Sequence, residues 1–279
     1  MNRLTCGLIG SHISATRLPA ALEIMCETTG LELTFTLIDT AELDAFDLED
    51  RVVQLRDQGW NGVTVTHPHK TSAAALAGQN RSEDILRIGA ANTLIFSQHG
   101  MEAHNTDYSG FIDAWRSWRG DSNPGRVAMA GCGGVARAIG LALSTLGAED
   151  IAVWDVAPER AEKLARDLGP PVRAIPIAEA ATACRLADGL VNATAVGMLH
   201  SPGMAFDTEC IHAQDWAFDA IYTPIDTLFL ESCRTSELDC LSGFELFRYM
   251  ALGSFTAYTG LKLDPALILE RIDQLAPRR

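Results

Sequence analysis

Short apolar runs alternate with stretches of helical spacing through the first hundred residues. Leu4 to Ile9, Leu33 to Ile38 and Gly62 to Thr66 read as strands. Pro19 to about Thr28 and about Glu42 to Gln58 carry the 3.6-residue period of helices. Strands separated by helices predict a mostly parallel sheet. Pro19 opens the first helix where its missing N–H costs nothing, and Gly59 closes the second in the left-handed conformation. A further strand is expected over Ala90 to Phe96, a hairpin around Gln98-His99-Gly100, and a helix from about Tyr108 to Trp118. The polar stretch from Arg119 to Gly125 reads as a linker or turn. A second α/β series then runs to about residue 240, and its helix from Pro158 to Leu168 puts Ala161, Leu164, Ala165 and Leu168 on one face before Gly169. An apolar helical segment from Gly243 to Gly260 follows.

Residues 127 to 155 form the most informative unit. An apolar strand, Val127-Ala128-Met129-Ala130, leads into Gly131-Cys132-Gly133-Gly134, a helix from Val135, a second strand Ile151-Ala152-Val153-Trp154, and Asp155 at its tip. Glycines at 131 and 133 let the chain turn sharply and approach a pyrophosphate, whose charge the following helix terminus receives. A carboxylate at Asp155 suits ribose hydroxyls and would repel a 2′-phosphate by about 4 kcal/mol at an effective dielectric near 20. Val156 and Ala157 follow, so no adjacent guanidinium neutralises such a phosphate. The expected dinucleotide is NAD rather than NADP. A glycine-rich loop that merely packs a helix on a strand is the simpler alternative.

At 279 residues the chain suits one large domain or two ordinary ones. A formal net charge of −14 argues against a nucleic-acid partner, and requires local positive charge wherever an anion binds. Seven cysteines without Cys-x-x-Cys spacing read as reduced, mostly buried thiols, and Cys132 fills a turn position without chemistry of its own. The N-terminal apolar run is too short for a signal peptide and no stretch is expected to span a membrane, which points to a cytoplasmic protein, monomer or homodimer. His67 and His69 have metal-like His-x-His spacing, but no further ligand cluster accompanies them, so no metal is expected.

Six local patterns together resemble the shikimate dehydrogenase family, particularly its NAD-preferring quinate/shikimate branch, over nearly the whole chain. Gly62-Val63-Thr64-Val65-Thr66-His67-Pro68-His69-Lys70 is similar to G-x-N-V-T-x-P-x-K, Gly89-Ala90-Ala91-Asn92-Thr93 to G-A-x-N-T, and Asn105-Thr106-Asp107-Tyr108-Ser109-Gly110 to N-T-D-x-x-G. Gly131-Cys132-Gly133-Gly134-Val135-Ala136-Arg137-Ala138 resembles G-x-G-G-x-x-x-A, Asn192-Ala193-Thr194-Ala195-Val196-Gly197-Met198 resembles N-x-T-x-x-G-M, and Asp219-Ala220-Ile221-Tyr222-Thr223-Pro224 resembles D-x-x-Y-x-P. The resemblance implies an α/β fold of two domains with a cleft between them: a substrate domain of residues 1–105 plus 243–279, and a Rossmann-type NAD domain of residues 106–242. It implies hydride transfer between NAD and a secondary hydroxyl of shikimate, quinate or a related cyclic hydroxy acid.

Such a reaction needs a group that exchanges the hydroxyl proton. The resemblance gives that part to Lys70 with Asp107 as its partner, an ammonium beside a carboxylate. Taken singly, Lys70 also reads as a solvated charge on a first helical turn and Asp107 as a helix cap. Thr16, Thr64, Thr66, Asn92, Tyr222 and Met250 stand at substrate-side positions of the family. Gly131, Gly133, Gly134, Val135, Asp155, Asn192, Ala193, Thr194 and Gly243 stand at its cofactor positions. Asn92 and Thr66 equally suit loop capping, and Tyr222 packing.

The substrate side departs from the pattern. Of the two serines in the family's opening signature, Thr16 matches one and Leu18 stands at the other; Thr64 replaces the asparagine and Met250 a late glutamine. Each lost polar partner weakens binding of a polar group by about 0.5–3 kcal/mol, which shifts substrate preference. Arg17 offers a replacement charge or is an ordinary surface arginine. Two other readings stay in view: an NAD-binding sensory relative without turnover, and another two-domain dehydrogenase such as a methylene-tetrahydrofolate dehydrogenase. The Lys70 and Asp107 motifs favour the shikimate-type enzyme.

Overall fold

A computed structural model describes residues 2–43, 45–78, 81–98 and 100–277. The chain forms two compact units, one of Met1–Gly110 with Arg248–Leu275 and one of Phe111–Phe247 with Ala276–Arg279.

The first unit begins with β1 (Arg3–Gly10), α1 (Leu18–Thr29), β2 (Glu32–Asp39), α2 (Leu48–Asp57) and β3 (Gly62–Val65). It continues through α3 (Lys70–Leu76), α4 (Glu83–Ile88), β4 (Thr93–Ser97), β5 (Gly100–His104) and the start of α5 (Thr106–Arg119). Its sheet has the order β2-β1-β3-β4-β5, with β1 parallel to β2 and β3 but β4 antiparallel to both of its neighbours. The sheet is therefore mixed rather than mostly parallel, because the β4–β5 hairpin closes one edge; residue 99 in its expected turn lies outside the described residues. Helix α2 starts later than its periodicity suggested. The Asp47 carboxylate accepts the Asp50 amide at 3.1 Å and caps the helix there, while Ala41 and Glu42 lie in a turn.

The second unit holds β6 (Arg126–Ala130), α6 (Gly134–Thr145), β7 (Asp150–Trp154), α7 (Pro158–Leu168), β8 (Val172–Ala174) and α8 (Ala180–Leu186). After these come β9 (Gly189–Asn192), β10 (Trp216–Asp219), α9 (Leu228–Thr235), β11 (Asp239–Leu241) and the start of α10 (Gly243–Thr259). Helix α11 (Pro265–Ile272) returns to the first unit. The second sheet is wholly parallel with order β11-β10-β9-β6-β7-β8. Strand order reverses between β6 and β9, the doubly wound arrangement whose ligands bind at the carboxyl ends of the strands. On α7, Ala161, Leu164 and Leu168 are buried as their spacing implied.

Each unit has its own core. Val52, Leu55, Val63, Val65 and Leu94 are among the cluster under the first sheet, and Leu190, Ala217, Phe229 and Leu230 among that of the second. Inside the first core the Thr64 hydroxyl meets the Tyr258 hydroxyl of α10 at 2.6 Å. Burial pushes that phenol well above its usual range, so the pair is neutral. Among the described residues no helix is long and apolar enough to cross a membrane.

Tyr258→Phe and Thr64→Val should each destabilise the chain by about 1–3 kcal/mol, since each leaves one buried hydroxyl without its partner. The double variant should lose little more than either single one. Urea unfolding of the four proteins checks this, and fully additive losses would show that the two hydroxyls act independently.

Candidate active site

Helix α3 starts at Lys70, immediately after the turn that ends β3, where the His69 amide bonds Thr66 O at 2.9 Å. The Lys70 Nζ lies 2.5 Å from Asp107 Oδ2, with the two side chains 18% and 11% exposed. Asp107 sits within the first turn of α5 and is not its cap. That role falls to Asn105, whose Oδ1 accepts the Tyr108 amide at 3.1 Å while its amide bonds Ala90 O at 3.0 Å. The Asp107 carboxylate is thereby left for Lys70. The Ala91 amide bonds Lys70 O at 2.9 Å and ties the lysine to the segment that carries Asn92.

Asn92 is 2% exposed. Its Oδ1 accepts from the Thr106 amide at 2.8 Å, the Thr106 hydroxyl at 3.1 Å and the Thr93 hydroxyl at 3.1 Å. Three donors fix the orientation of the side-chain amide, because its nitrogen cannot accept them. Among the described residues none accepts a hydrogen bond from that nitrogen, which keeps two N–H groups for a ligand. The Thr66 hydroxyl, past the end of β3, is likewise without a partner among the described residues. Thr106 extends the network to Ser254 at 3.1 Å, and Ser254 donates to Met250 Sδ at 3.7 Å.

Other expected positions have different surroundings. Thr64 is buried with its hydroxyl committed to Tyr258, which places it in the core and corrects its assignment as a substrate contact. Thr16 Oγ1 accepts the Leu18 amide at 3.3 Å, and the Leu18 side chain is buried. His69 bonds Thr40 Oγ1 through Nε2 at 2.9 Å, and burial, with His67 second, lowers its pKa. Among the described residues no group of three metal-ligating side chains forms. Asp39, which the sequence reading passed over, holds the loop before α1 by accepting the amides of His12 and Ile13 at 3.0 and 3.1 Å, and that of Ala41 at 3.0 Å. The Ala41 bond leads the causes that hold its carboxyl below the usual range.

In the second unit Gly131 has φ 93°, and a Cβ there would stand 2.8 Å from both Ala193 O and Thr194 Cγ2. Gly133 is the N-cap of α6, and a Cβ there would meet nothing within 4 Å. Gly134 and Val135 open the helix, so their amides have no carbonyl one turn behind them. Asp155 follows β7, its Oδ2 accepting the Cys132 amide at 2.9 Å and its Oδ1 the Ala157 amide at 3.0 Å. Each oxygen keeps a lone pair. A sharp glycine turn, a twelve-residue helix with unpaired first amides and a carboxylate above them fit the pyrophosphate and ribose of a dinucleotide. The Cys132 thiol is pushed up to about 12, by burial first and Asp155 second, and stays protonated.

Arg137 and Arg160 both act to lower the Cys132 pKa, although neither arginine directly follows Asp155 in sequence. Arg137 is paired with Asp167 at 2.7 Å, whereas Arg160 is exposed on the first turn of α7. Asn192 has no side-chain group left for a ligand. Its amide bonds Val196 O and Asp219 Oδ1, both at 3.1 Å, and its oxygen accepts the Thr194 amide and hydroxyl at 3.1 and 2.7 Å. Ala193 and Thr194 form the wall against which Gly131 turns. Tyr222 stacks on Phe247 with centroids 5.6 Å apart, and a Cβ on Gly243 would stand 2.5 Å from Ala220 O.

A lysine–aspartate couple beside an unpaired amide, together with a doubly wound unit whose turn fits a dinucleotide, defines a nicotinamide-dependent dehydrogenase. The substrate-binding domain of shikimate dehydrogenase matches residues 8–94. The chain is 35% identical to a quinate/shikimate dehydrogenase (NAD(+)) of Corynebacterium efficiens over 92% of this chain and 93% of that one. It is 34% identical to a shikimate dehydrogenase (NADP(+)) of Pseudarthrobacter chlorophenolicus, over 93% and 90%. The solved structure of quinate dehydrogenase from Corynebacterium glutamicum in complex with NAD superposes with a TM-score of 0.88 at 30% identity, covering 98% of this chain and all of that one. The chain belongs to the shikimate dehydrogenase family.

Gly131→Ala and Gly133→Ala should separate fold from ligand. The first should destabilise the second unit by about 1–3 kcal/mol, because its Cβ meets backbone at a positive φ. The second should leave thermal unfolding almost unchanged yet weaken NAD binding in calorimetry. Equal NAD affinity in Gly133→Ala and the parent would remove that turn from the binding site.

Proposed function

We propose that this chain is an NAD-dependent dehydrogenase of shikimate, quinate or a related cyclic hydroxy acid, with the first unit taking the substrate and the second the dinucleotide. The reading rests on one observation above all: Lys70 Nζ held 2.5 Å from Asp107, with both side chains mostly buried. A protein that only bound ligands would gain nothing from that couple. The names of its relatives, which include quinate/shikimate and NAD, support the substrate class and the cofactor.

The nicotinamide, when bound, supplies the hydride acceptor or donor. The protein handles the proton. In oxidation the neutral amine of Lys70 takes the proton of the reacting hydroxyl, and in reduction its ammonium returns one to the carbonyl oxygen. Asp107 accepts from Lys70 through one oxygen and orients the reacting hydroxyl with its remaining lone pairs. Asn92, its orientation set by three donors, offers N–H groups to a neighbouring substrate hydroxyl, and Thr66 offers its hydroxyl. Thr16 keeps its hydroxyl hydrogen for the substrate carboxylate. Leu18 and Met250 present no equivalent polar group, which favours a substrate with fewer polar contacts on those sides.

NAD is preferred to NADP because Asp155 would face a 2′-phosphate at close range. The exposed Arg160 moderates that repulsion, so the preference is one of degree. The amides of Gly133, Gly134 and Val135 receive the pyrophosphate, and the backbone at Gly243 lines the nicotinamide end.

Lys70→Ala should lower turnover by about 10²- to 10⁴-fold while leaving NAD affinity nearly unchanged. A panel of cyclic hydroxy acids followed by nicotinamide absorbance checks this, and near-normal turnover would remove the assignment. Asp155→Ala should narrow the ratio of kcat/KM for NAD over NADP. An unchanged ratio would transfer the selectivity to other residues.

A further inference from the structure

Asp219 is fully buried at the end of β10, and among the described residues no cation pairs with it. Its Oδ1 accepts from the Ile221 amide at 3.0 Å and Asn192 Nδ2 at 3.1 Å, and its Oδ2 from the Thr227 hydroxyl at 2.6 Å. Facing it are Asn192 from β9, the amide and hydroxyl just named, and the Cys233 thiol of α9, which feels its charge. Burial pushes its carboxyl up to about 6 against the pull of all three hydrogen bonds. A carboxylate kept here without a counter-ion is costly, so the geometry must need what only a carboxylate offers. Three donors converge on two separate oxygens. Asparagine has one acceptor oxygen and would turn N–H groups toward at least one of those donors.

Those donors belong to the segments that follow the strands on one side of the sheet's reversal. Ile221 and Thr227 are near the two ends of the strap between β10 and α9, which carries Tyr222, and Thr227 goes on to cap α9 through the Leu230 amide at 3.2 Å. Asn192 passes the restraint to the segment after β9 by bonding Val196 O and Thr194. Asn192 and Asp219 are register partners across β9 and β10, so the clamp is built into the strand pairing. Gly243 rests its backbone on Ala220 and Ile221 at the start of the strap.

We propose that Asp219 is a positioning residue for the dinucleotide, a clamp that fixes residues 193–196 and 220–227 in the shape that receives it at the carboxyl ends of the strands. It touches no ligand itself and acts through Asn192, Ile221 and Thr227. The proposal rests on the dinucleotide reading of the second unit.

The test is Asp219→Asn, which keeps the Thr227 cap of α9, with Thr227→Val cutting the Oδ2 anchor together with that cap and Thr227→Ser restoring both. Calorimetry with NAD should show about tenfold weaker binding in Asp219→Asn and Thr227→Val, and parent-like binding in Thr227→Ser. Hydrogen exchange of the unliganded proteins should quicken at 193–196 and 220–227 and stay unchanged in the first unit. Stability should move the other way with pH. The folded carboxyl titrates above its unfolded value, so its charge burdens the fold as pH rises from about 4 through about 6. The melting-temperature difference should therefore shift in favour of Asp219→Asn over that range. A purely structural role would move stability and spare NAD affinity. If Asp219→Asn does not fold, the two Thr227 variants decide. Equal NAD affinity and unchanged exchange in the variants would overturn the clamp alone, whereas a parent protein that binds no NAD would overturn the dinucleotide reading and the clamp together.

Discussion

A lysine and an aspartate in contact, with less than a fifth of either side chain exposed, are the constraint around which the first unit is organised. Such a pair adds little to stability, since both ions surrender hydration and recover it only from each other. Its surroundings are arranged to keep it available. Asn105 caps α5 and relieves Asp107 of that duty, and the Ala91 amide anchors the carbonyl of Lys70. Asn92 spends its oxygen on three protein donors and saves its nitrogen. The result is a small polar surface where one proton can be held by a lysine, an aspartate and an incoming oxygen.

The second unit solves a different problem with carboxylates. Asp155 is part-buried, held by two amides, and retains lone pairs beside the glycine turn. Asp219 is fully enclosed and spends its oxygens on the protein. Both stand where a parallel strand ends. On the proposed reading one meets a ligand and the other shapes what meets it, and the difference lies in how many neighbouring donors each must satisfy.

The sequence carried the outline of both units and the lysine and aspartate that meet in the first, because those features depend on local order: strand, glycine turn, helix, strand and acid, or a lysine just after a strand. It carried side-chain commitments less well. Strand β3 is buried along its whole length, so alternation of apolar and polar residues cannot say that the Thr64 hydroxyl faces Tyr258, almost two hundred residues away. Asn192 looked like a ligand until β9 and β10 paired it with Asp219. Arg160 lay outside a charge count limited to the two residues after Asp155, yet the turn of α7 brings its charge to Cys132. Some signals were present and unread. Asp264 before Pro265 marks the start of α11, and its carboxylate caps that helix through the Ala266 amide at 3.0 Å.

The altered periphery of the first unit acquires meaning beside the intact centre. Contacts to groups remote from the reacting carbon strengthen substrate and transition state alike, and so act mainly on KM. Contacts to the reacting oxygen change as the proton moves, and so act on kcat. On the proposed reading this chain has a buried Leu18 and a thioether at Met250 where a polar contact would be of the first kind, and keeps Lys70 and Asp107, which would be of the second. Loss confined to the first kind leaves the chemical step intact while relaxing the demand for a fully decorated substrate. An overall charge of −14 works in the same direction, since it offers a carboxylate no long-range attraction and leaves its capture to short-range contacts.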